Sequence, residues 1–302
     1  MSIRKTDLDQ LGVGLLLVCT LFWGLQQVLI KATLPEIAPA FQAAARFAGA
    51  TVLLLLWCWW RNIRLFEADG SLKAGLLAGV LFGFEFACLY TGLQFTSVAR
   101  LTIFLYTSPF WVALLLPLWV ESERLRARQW LGLLLAFTAV AMALQFRHPD
   151  ATTTQHWLGD FLGLAAGLGW GLTTVTIRSS KLTQVSAEKL LLYQIGIAAL
   201  CLPLLSVALG ESWSLNWSAF AAGSMLMQTA IGAFASYLAW MWMLSRYPAT
   251  KISAFSFLTP VFALILSALW LKEPVSITLV LCLVMVLAGI VLVNQRPRLT
   301  TS

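Results

Sequence analysis

The chain has 302 residues, of which 60% are hydrophobic and only 11% are charged. Soluble domains carry about 45–50% apolar and about 25% charged residues, so this composition excludes an ordinary soluble domain. The net charge is +7, and the basic residues lie in short loops between apolar runs. This placement is typical of membrane proteins and predicts no nucleic-acid partner.

The first apolar run, Leu11–Ile30, is uncharged and long enough to cross a bilayer, which needs roughly 20 apolar residues. It is therefore predicted to be a transmembrane helix rather than a cleaved signal peptide. Nine further runs follow it. The ten predicted spans are 11–30, 38–60, 74–96, 99–120, 129–146, 158–177, 189–209, 217–245, 251–271 and 275–294. Together they predict an all-α integral membrane protein with ten transmembrane helices.

The distribution of lysine and arginine between the loops predicts the orientation of these spans. With the N-terminus in the cytoplasm, 15 of the 20 basic residues fall on the cytoplasmic side, 4 fall outside and Arg46 falls within a span. Cytoplasmic loops of membrane proteins carry such an excess. We therefore predict an inner (plasma) membrane protein with both termini in the cytoplasm.

The longest polar connection divides the chain into two halves. It contains Pro149 and both histidines, His148 and His156. We predict a first five-helix repeat over residues 1–147, an external linker over 148–157 and a second five-helix repeat over 158–302. The two histidines and the five dispersed cysteines predict no metal site, and the lack of a Walker loop in the sequence disfavours ATP-driven transport. We expect no cofactor.

The two halves repeat each other in sequence. Residues 11–31 and 158–178 are identical at 10 of 21 positions, including a shared Trp-Gly-Leu. A proline in the fourth span of the first half, Pro109, recurs as Pro260. Because each half holds five predicted spans, the second is inverted relative to the first. Inverted repeats are typical of secondary transporters, whose substrate site lies near the membrane midplane.

Each half opens on an apolar run with Trp-Gly, and in each a mid-helix proline is followed by an apolar run and an acidic residue, Pro109 to Glu123 and Pro260 to Glu273. This pattern resembles the EamA branch of the drug/metabolite transporter superfamily over essentially the whole chain. The stretch Phe84–Phe110 looks like the YddG-type amino acid exporters of that branch. The resemblance implies export of metabolites, commonly amino acids, through a central cavity.

The prolines Pro109 and Pro260 are predicted to kink spans four and nine. A mid-helix proline removes a backbone hydrogen bond, here freeing the carbonyls of Leu105 and Ser256. Such kinks are either static architecture or hinges. Because they recur in both halves, we predict hinges.

Arg46 and Glu85 are the charges that lie deep within predicted spans. Intramembrane charges usually face a cavity or pair with one another. Spans two and three are consecutive and antiparallel, so we predict an ion pair between Arg46 and Glu85. The alternative is that Glu85 faces the cavity and binds a substrate amine or a proton.

Span eight carries a stripe of small and polar residues at intervals of four, which places them on one helix face. Its members are Ser224, Gln228, Gly232, Ser236 and Trp240. The stripe either lines an aqueous path or packs against another helix. The glycine ladders at 75, 79 and 83 and at 163, 167 and 171 predict close helix packing.

The predicted substrate-binding residues combine deep polar and aromatic side chains from both halves. They are Trp23, Gln26, Glu85, Tyr90, Tyr106, Trp170, Thr173, Gln228, Ser236, Trp240 and Ser256. We predict a secondary transporter that exports small polar metabolites by alternating access around a central cavity. Amino acids are the expected class, either aromatic or broadly selected.

Two other functions remain open from the sequence. One is a multidrug or organic-cation exporter of the same superfamily, although the first span lacks the deep acid that such pumps commonly use. The other is a membrane-embedded enzyme, for which the sequence offers no deep histidine and no pair of deep carboxylates. The expected partners are a small-molecule substrate and the lipid bilayer, with the chain a monomer or a weak homo-oligomer.

Overall fold

The computed structural model describes residues 5, 7–92, 94–95, 98–145, 156–271 and 277–294. Every regular element within these ranges is helical. The α-helices are α1 (Gln10–Thr33), α2 (Pro39–Trp60), α3 (Leu72–Gly92), α4 (Val98–Leu105), α5 (Ser108–Leu115), α6 (Ala127–Gln145), α7 (His156–Ser179), α8 (Ala187–Ala208), α9 (Ala219–Met227), α10 (Ser236–Arg246), α11 (Ala249–Phe255), α12 (Leu258–Leu271) and α13 (Ile277–Asn294). A π-helix, Gln228–Ala235, joins α9 to α10.

Seven segments of the described chain are long and apolar enough to cross a membrane. They are Gln10–Thr33, Pro39–Trp60, Leu72–Gly92, Leu101–Leu118, Trp157–Ser179, Ala187–Ala208 and Ala219–Arg246. Two shorter apolar helices, Ala127–Met142 and Val284–Asn294, occupy predicted spans five and ten. The remaining predicted span, 251–271, is divided between α11 and α12. The chain is thus an all-helical integral membrane protein in its described part.

Some sequence predictions fall on residues that the structure does not describe. These are His148, Pro149, Lys272, Glu273 and most of the predicted linker 148–157. The helix α7 begins at His156, two residues before the predicted start of span six.

Local sequence explains where the long helices begin. Asp9 precedes α1 and accepts a hydrogen bond from the backbone N–H of Gly12 at 2.8 Å, which satisfies one of the unpaired donors of the first turn. Ser186 does the same for α8. Pro39 begins α2, where its missing N–H costs nothing.

The predicted spans four and nine are broken rather than merely kinked. The helix α4 ends at Leu105 and α5 starts at Ser108, while α11 ends at Phe255 and α12 starts at Leu258. Each predicted hinge proline, Pro109 or Pro260, therefore lies in the first turn of the second helix and not in the middle of a continuous one. A proline is tolerated there because the first turn needs no donor.

The Ser256 carbonyl, which was expected to be freed, accepts the backbone N–H of Thr259 at 2.9 Å. The backbone at the break therefore satisfies this carbonyl through a tighter bond between residues three apart instead of the usual helical bond.

Close contacts between glycines and neighbouring helices hold the bundle together. A Cβ atom placed on Gly79 of α3 would lie 2.2 Å from the carbonyl oxygen of Tyr193 in α8, and one on Gly167 of α7 would lie 2.7 Å from the carbonyl oxygen of Phe104 in α4. These distances leave no room for a side chain. The predicted packing role of the two glycine ladders is confirmed at these positions.

The two ends of the bundle are named here after a carboxylate at each. At one end, the Glu123 end, the Glu123 carboxylate contacts the start of α11 and the end of α7. At the opposite Glu211 end, the Glu211 carboxylate accepts the backbone N–H groups of Ala40 at 3.0 Å and Phe41 at 2.8 Å. Leucine and valine side chains remain exposed between the ends, for example Leu200 and Leu204 of α8. Such faces suit contact with lipid.

Candidate functional site

A cavity of about 200 Å³ lies inside the bundle between the two halves of the chain. Helices α1, α2, α3 and α4 provide one part of its wall, and α7, α8, α10 and α12 provide the other. Eight of the predicted substrate-binding residues line it, namely Trp23, Gln26, Glu85, Tyr90, Tyr106, Trp170, Thr173 and Trp240. Arg46 lines it as well.

The other predicted residues lie behind or beside this wall. Gln228 accepts a hydrogen bond from the lining residue Arg46, and the Ser236 hydroxyl accepts one from the indole N–H of Trp23 at 2.8 Å. Ser256 is fully buried in the second helix break, where its hydroxyl donates to the Ser253 carbonyl at 2.7 Å. Gln228 and Ser236 therefore hold lining residues in place, and Ser256 lies outside the cavity wall.

Arg46 is almost fully buried in α2, with 1% of its surface exposed. Its guanidinium donates from Nη2 to the Tyr90 hydroxyl at 3.2 Å and from Nη1 to Gln228 Oε1 at 3.4 Å. It also lies over the Phe47 ring, 4.9 Å from the centroid. Gln228 is itself held by a hydrogen bond from Nε2 to Ser224 at 3.0 Å. The orientation of the guanidinium is thus fixed by neighbouring side chains.

Glu85 lies on α3 with 6% of its surface exposed. Its Oε2 atom is buried and has no hydrogen-bond partner among the described residues. The predicted ion pair with Arg46 is not formed, because the guanidinium is directed toward Tyr90 and Gln228. Of the ion pairs between described residues, none includes Glu85. The cavity therefore carries a buried basic and a buried acidic side chain that do not pair with each other.

Aromatic rings form the apolar part of the wall. Trp23 of α1 packs against Trp240, with ring centroids 5.0 Å apart, and against Tyr237, with centroids 5.7 Å apart. Tyr106, at the break between α4 and α5, meets Trp170 of α7 edge to face at 5.8 Å. Such aromatic surfaces provide a large apolar contact area with polar tips.

The π-helix approaches α1 closely at Gly232. A Cβ atom at Gly232 would lie 1.8 Å from Oε1 of Gln26, so a larger residue there would force this amide to move. Gln26 lines the cavity, and its Oε1 is buried without a hydrogen-bond partner in the described part of the chain. Single-turn π-helical insertions of this kind are frequent at functional sites.

A dense hydrogen-bond network lies directly beyond the cavity, at the Glu123 end. Glu123 Oε1 accepts from Arg178 Nη2 at 2.5 Å and from the backbone N–H of Ala249 at 3.0 Å. Its Oε2 accepts the backbone N–H and the hydroxyl of Thr250, at 3.1 and 2.8 Å. Arg178 also donates from Nη1 to the carbonyl of Leu244, a cavity-lining residue, at 2.9 Å. We call Glu123, Arg178, Ala249 and Thr250 the Glu123 latch.

A second, more exposed ion pair lies at the same end, between the α2–α3 loop and the start of α8. The Lys189 ammonium donates to Asp69 Oδ2 at 2.8 Å and to the Glu67 carbonyl at 2.7 Å. The backbone N–H of Ser71 also donates to Asp69, at 2.9 Å. The bond from Lys189, followed by those from Ser71, lowers the pKa of Asp69 well below its usual value.

Comparison with known proteins identifies the family. Residues 10–145 and residues 157–295 each match the profile of the EamA-like transporter family, so the two matches together cover most of the chain. The chain belongs to the EamA-like transporter family. The resemblance recognised in the sequence is thereby confirmed.

Relatives of this EamA-like protein are also named as transporters. An uncharacterized transporter of Synechocystis sp. is 30% identical over 99% of this chain and 94% of its own length. A probable amino-acid metabolite efflux pump of Escherichia coli is 25% identical over 92% of this chain and 93% of its own length. One solved crystal structure has a TM-score of 0.78 at 15% identity and covers 92% of this chain and 94% of its own, so the two share a fold.

Several cavity residues of the EamA-like protein were not among the predicted site residues. They are chiefly polar or aromatic, for example Gln27, Thr102, Gln194, Tyr237 and Thr259. Gln194 gave the clearest missed signal, because it is a single amide within the apolar run of span seven. Its Nε2 donates to Met241 Sδ at 3.3 Å across the cavity wall.

Proposed function

We propose that this EamA-like transporter is a secondary transporter that exports small polar metabolites, and amino acids in particular, by alternating access around the cavity. The observation that carries the proposal is a cavity between the two halves that combines buried charges with aromatic rings inside apolar helices. A small-molecule site in a protein is typically such a concave, largely apolar pocket with a few placed polar groups.

The amino acid class is supported from two sides. A relative of this chain in Escherichia coli is named a probable amino-acid metabolite efflux pump. The cavity also presents an acid, a base and several amides near one another, which suits a ligand with both an amine and a carboxylate better than a purely apolar compound.

The proposed architecture is ten spans arranged as two inverted five-helix repeats, 1–147 and 158–302, joined by a linker at 148–157. The packing pattern supports it. In the proposed repeat, α1 corresponds to α7, and α3 corresponds to the segment from α9 to α10. The contact of α3 with α7 then has a counterpart in the contact of α1 with α10 and the π-helix. Likewise α1 packs on α12 as α7 packs on α4 and α5, while α2 packs on α8 and α6 on α13. A pseudo-two-fold axis produces such reciprocal pairs.

The proposed orientation places the Glu123 end in the cytoplasm, because most basic residues lie there. The Glu123 latch would then be the cytoplasmic gate, closed in this structure below the cavity. Opening it requires the α11 N-terminus and Arg178 to separate from Glu123 while the opposite end closes. This motion is rocking of one bundle against the other around a midplane site.

An organic-cation exporter is the second candidate function. It is favoured by the Glu85 carboxyl, which lacks a partner among described residues and lies in an aromatic-lined cavity. A carboxylate with aromatic rings is a common solution for binding organic cations. The position of Arg46 in the same wall favours amino acids, because a lone cation would be repelled by the guanidinium.

Flux from proteoliposomes tests both functions. Liposomes loaded separately with each amino acid and with two quaternary ammonium compounds are assayed for saturable efflux, with and without a pH gradient, against protein-free liposomes. We expect saturable efflux of at least one amino acid and none of the ammonium compounds. The opposite pattern would establish the cation exporter.

Orientation is tested separately by labelling of single cysteines in a cysteine-free background. Ser214→Cys, in the exposed loop before α9, should react from outside cells, and Lys181→Cys, exposed after α7, should react only from inside. Labelling of both positions from one side would contradict the proposed topology.

A further inference from the structure

The two charged residues of the cavity retain unused hydrogen-bonding capacity. Arg46 Nε and Glu85 Oε2 are both buried, and neither has a hydrogen-bond partner among the described residues. Native structures normally satisfy buried polar atoms, because leaving one without a hydrogen bond costs free energy. A donor and an acceptor left in this condition on two ionisable residues of one cavity point to a ligand that bonds to both.

We propose that Arg46 binds the carboxylate and Glu85 binds the ammonium of one zwitterionic α-amino acid, and that the aromatic wall accepts an aromatic or bulky apolar side chain. This inference rests on the proposed function and assigns the recognition of the substrate to named groups. It also explains why Arg46 and Glu85 do not pair, since an internal ion pair would compete with the substrate.

The geometry of Arg46 suits a carboxylate. A guanidinium has five N–H donors in a planar fork. Tyr90 and Gln228 each take one, from Nη2 and Nη1, and Nε remains unused. We infer that a carboxylate would take Nε together with an Nη donor, through the two parallel hydrogen bonds by which arginine binds carboxylates. Because Tyr90 and Gln228 already fix the guanidinium, little side-chain entropy is lost when the ligand binds.

Glu85 and the rings suit the remaining parts of the ligand. Glu85 Oε2 is an acceptor that an ammonium group can fill. Trp23, Tyr237 and Trp240 form a continuous aromatic cluster in the same cavity. A ligand of this class would bury its apolar side chain against these rings, and its two charges would fix its orientation.

Three ligands of equal ring size separate the two proposed contacts. They are L-phenylalanine, 3-phenylpropanoate, which lacks the ammonium, and 2-phenylethylamine, which lacks the carboxylate. Binding to the detergent-solubilised protein is measured by quenching of intrinsic tryptophan fluorescence and by calorimetry. For the wild type we expect L-phenylalanine to bind about tenfold to hundredfold more tightly than either analogue, the range typical of one lost charge-assisted hydrogen bond.

Two variants should remove these preferences one at a time. Glu85→Gln should reduce the preference for L-phenylalanine over 3-phenylpropanoate to less than about threefold and leave the preference over 2-phenylethylamine intact. Arg46→Gln should do the reverse. Arg46→Lys keeps the charge without the fork and tests the same contact if Arg46→Gln fails to fold. Glu121→Gln, at an exposed position outside the cavity, is the matched control and should change neither preference.

The outcome separates this inference from the transport proposal. If both preferences survive in Glu85→Gln and in the arginine variants, the zwitterion assignment is wrong even where amino acid flux is normal. If the preferences shift as expected and proteoliposomes show no flux, the assignment stands and the transport proposal fails. If no member of a panel of the twenty amino acids binds the wild type, the assignment is overturned.

Discussion

Two regions of the described structure each bury an arginine and a glutamate, and their side chains are arranged in opposite ways. In the Glu123 latch, both carboxylate oxygens of Glu123 are used and two of its four bonds come from backbone N–H groups. In the cavity, Arg46 and Glu85 are similarly buried, yet Glu85 forms no ion pair with a described residue and its Oε2 has no hydrogen-bond partner among them. The residue types are the same and only the partners differ.

This difference separates a structural role from a binding role. A buried carboxylate whose oxygens are all satisfied holds secondary elements together, because removing it leaves an arginine and a helix terminus unpaired. A buried carboxylate with free acceptors costs stability in the empty protein and gains a partner only from a ligand. Removing the carboxylate should therefore lower stability in the latch and should not lower it in the cavity.

The largest effect is expected when the latch is broken. Glu123→Ala leaves the Arg178 guanidinium, the N–H groups of Ala249 and Thr250 and the Thr250 hydroxyl without their acceptor. Loss of one partner of a buried pair costs about 3–5 kcal/mol. We expect the apparent melting temperature in detergent to fall by on the order of 10 °C. Glu121→Gln, in the same turn but exposed, is the control, and an equal shift in both would exclude the latch.

A second, smaller effect is expected from the prolines of the helix breaks, which connect the two regions. The helix α11 begins at the latch with Ala249 and ends at the break before Thr259, a cavity residue. Pro260→Ala and Pro109→Ala each add a backbone N–H that lets the two helices on either side of a break join into one. We expect this to stiffen the breaks and to lower the maximal transport rate by roughly tenfold, with apparent affinity changed much less. Concentration-dependent flux at matched protein amounts measures both quantities. Wild-type maximal rates would mean that the breaks are static.

Replacing the cavity carboxyl of Glu85 by an amide should change the melting temperature only slightly, and should not lower it as the latch substitution does. Because Glu85 has no ion-pair partner in the described structure, Glu85→Gln breaks no ion pair and keeps a side chain of similar size. We expect the melting temperature of the ligand-free protein to stay unchanged or to rise by a few degrees, about 1 kcal/mol or less. A clear decrease would show that Glu85 is held by an internal pair after all.

The smallest effect is expected at the exposed ion pair of Asp69 and Lys189. The Asp69 side chain is 34% exposed, so solvent screens the pair and its contribution to stability should be small. The pKa of Asp69 is lowered in the folded protein. Its contribution is therefore fully present above the pKa of the unfolded chain and is lost as the pH falls through the lower folded value. Asp69→Asn should lower the melting temperature slightly at pH 7, and a difference that persisted in strong acid would contradict this.

The sequence predicted the helical architecture and many of the residues that line the cavity, but not which side chains form hydrogen bonds or ion pairs with one another. Hydrophobic run length is sufficient to locate α1, α2, α3 and α7, because lipid requires long apolar helices. It does not show where a span is broken, so the interruptions after Leu105 and Phe255 were predicted only as kinks. A proline within an apolar run is compatible either with a bend in one helix or with the first turn of a second helix.

The site was predicted least well where the relative rotation of two helices decides the contact. Deep polar and aromatic residues such as Trp23, Tyr90 and Trp240 indicate a cavity in any bundle, and the structure places them there. The partner of Arg46 depends on how α2 and α3 are rotated, which periodicity within one helix cannot determine. For the same reason Gln194, an isolated amide, gave no indication of which face of α8 meets the cavity.

The central measurement is the rate of amino acid efflux from proteoliposomes that contain the wild type or Glu85→Gln, with the melting temperature determined on the same preparations. We expect the wild type to export at least one amino acid with saturation, and Glu85→Gln to lower kcat/KM for that amino acid by about tenfold to hundredfold without loss of thermal stability. Wild-type kcat/KM in Glu85→Gln, or a loss of flux explained entirely by a fall in melting temperature, would contradict the assignment of Glu85 to the substrate.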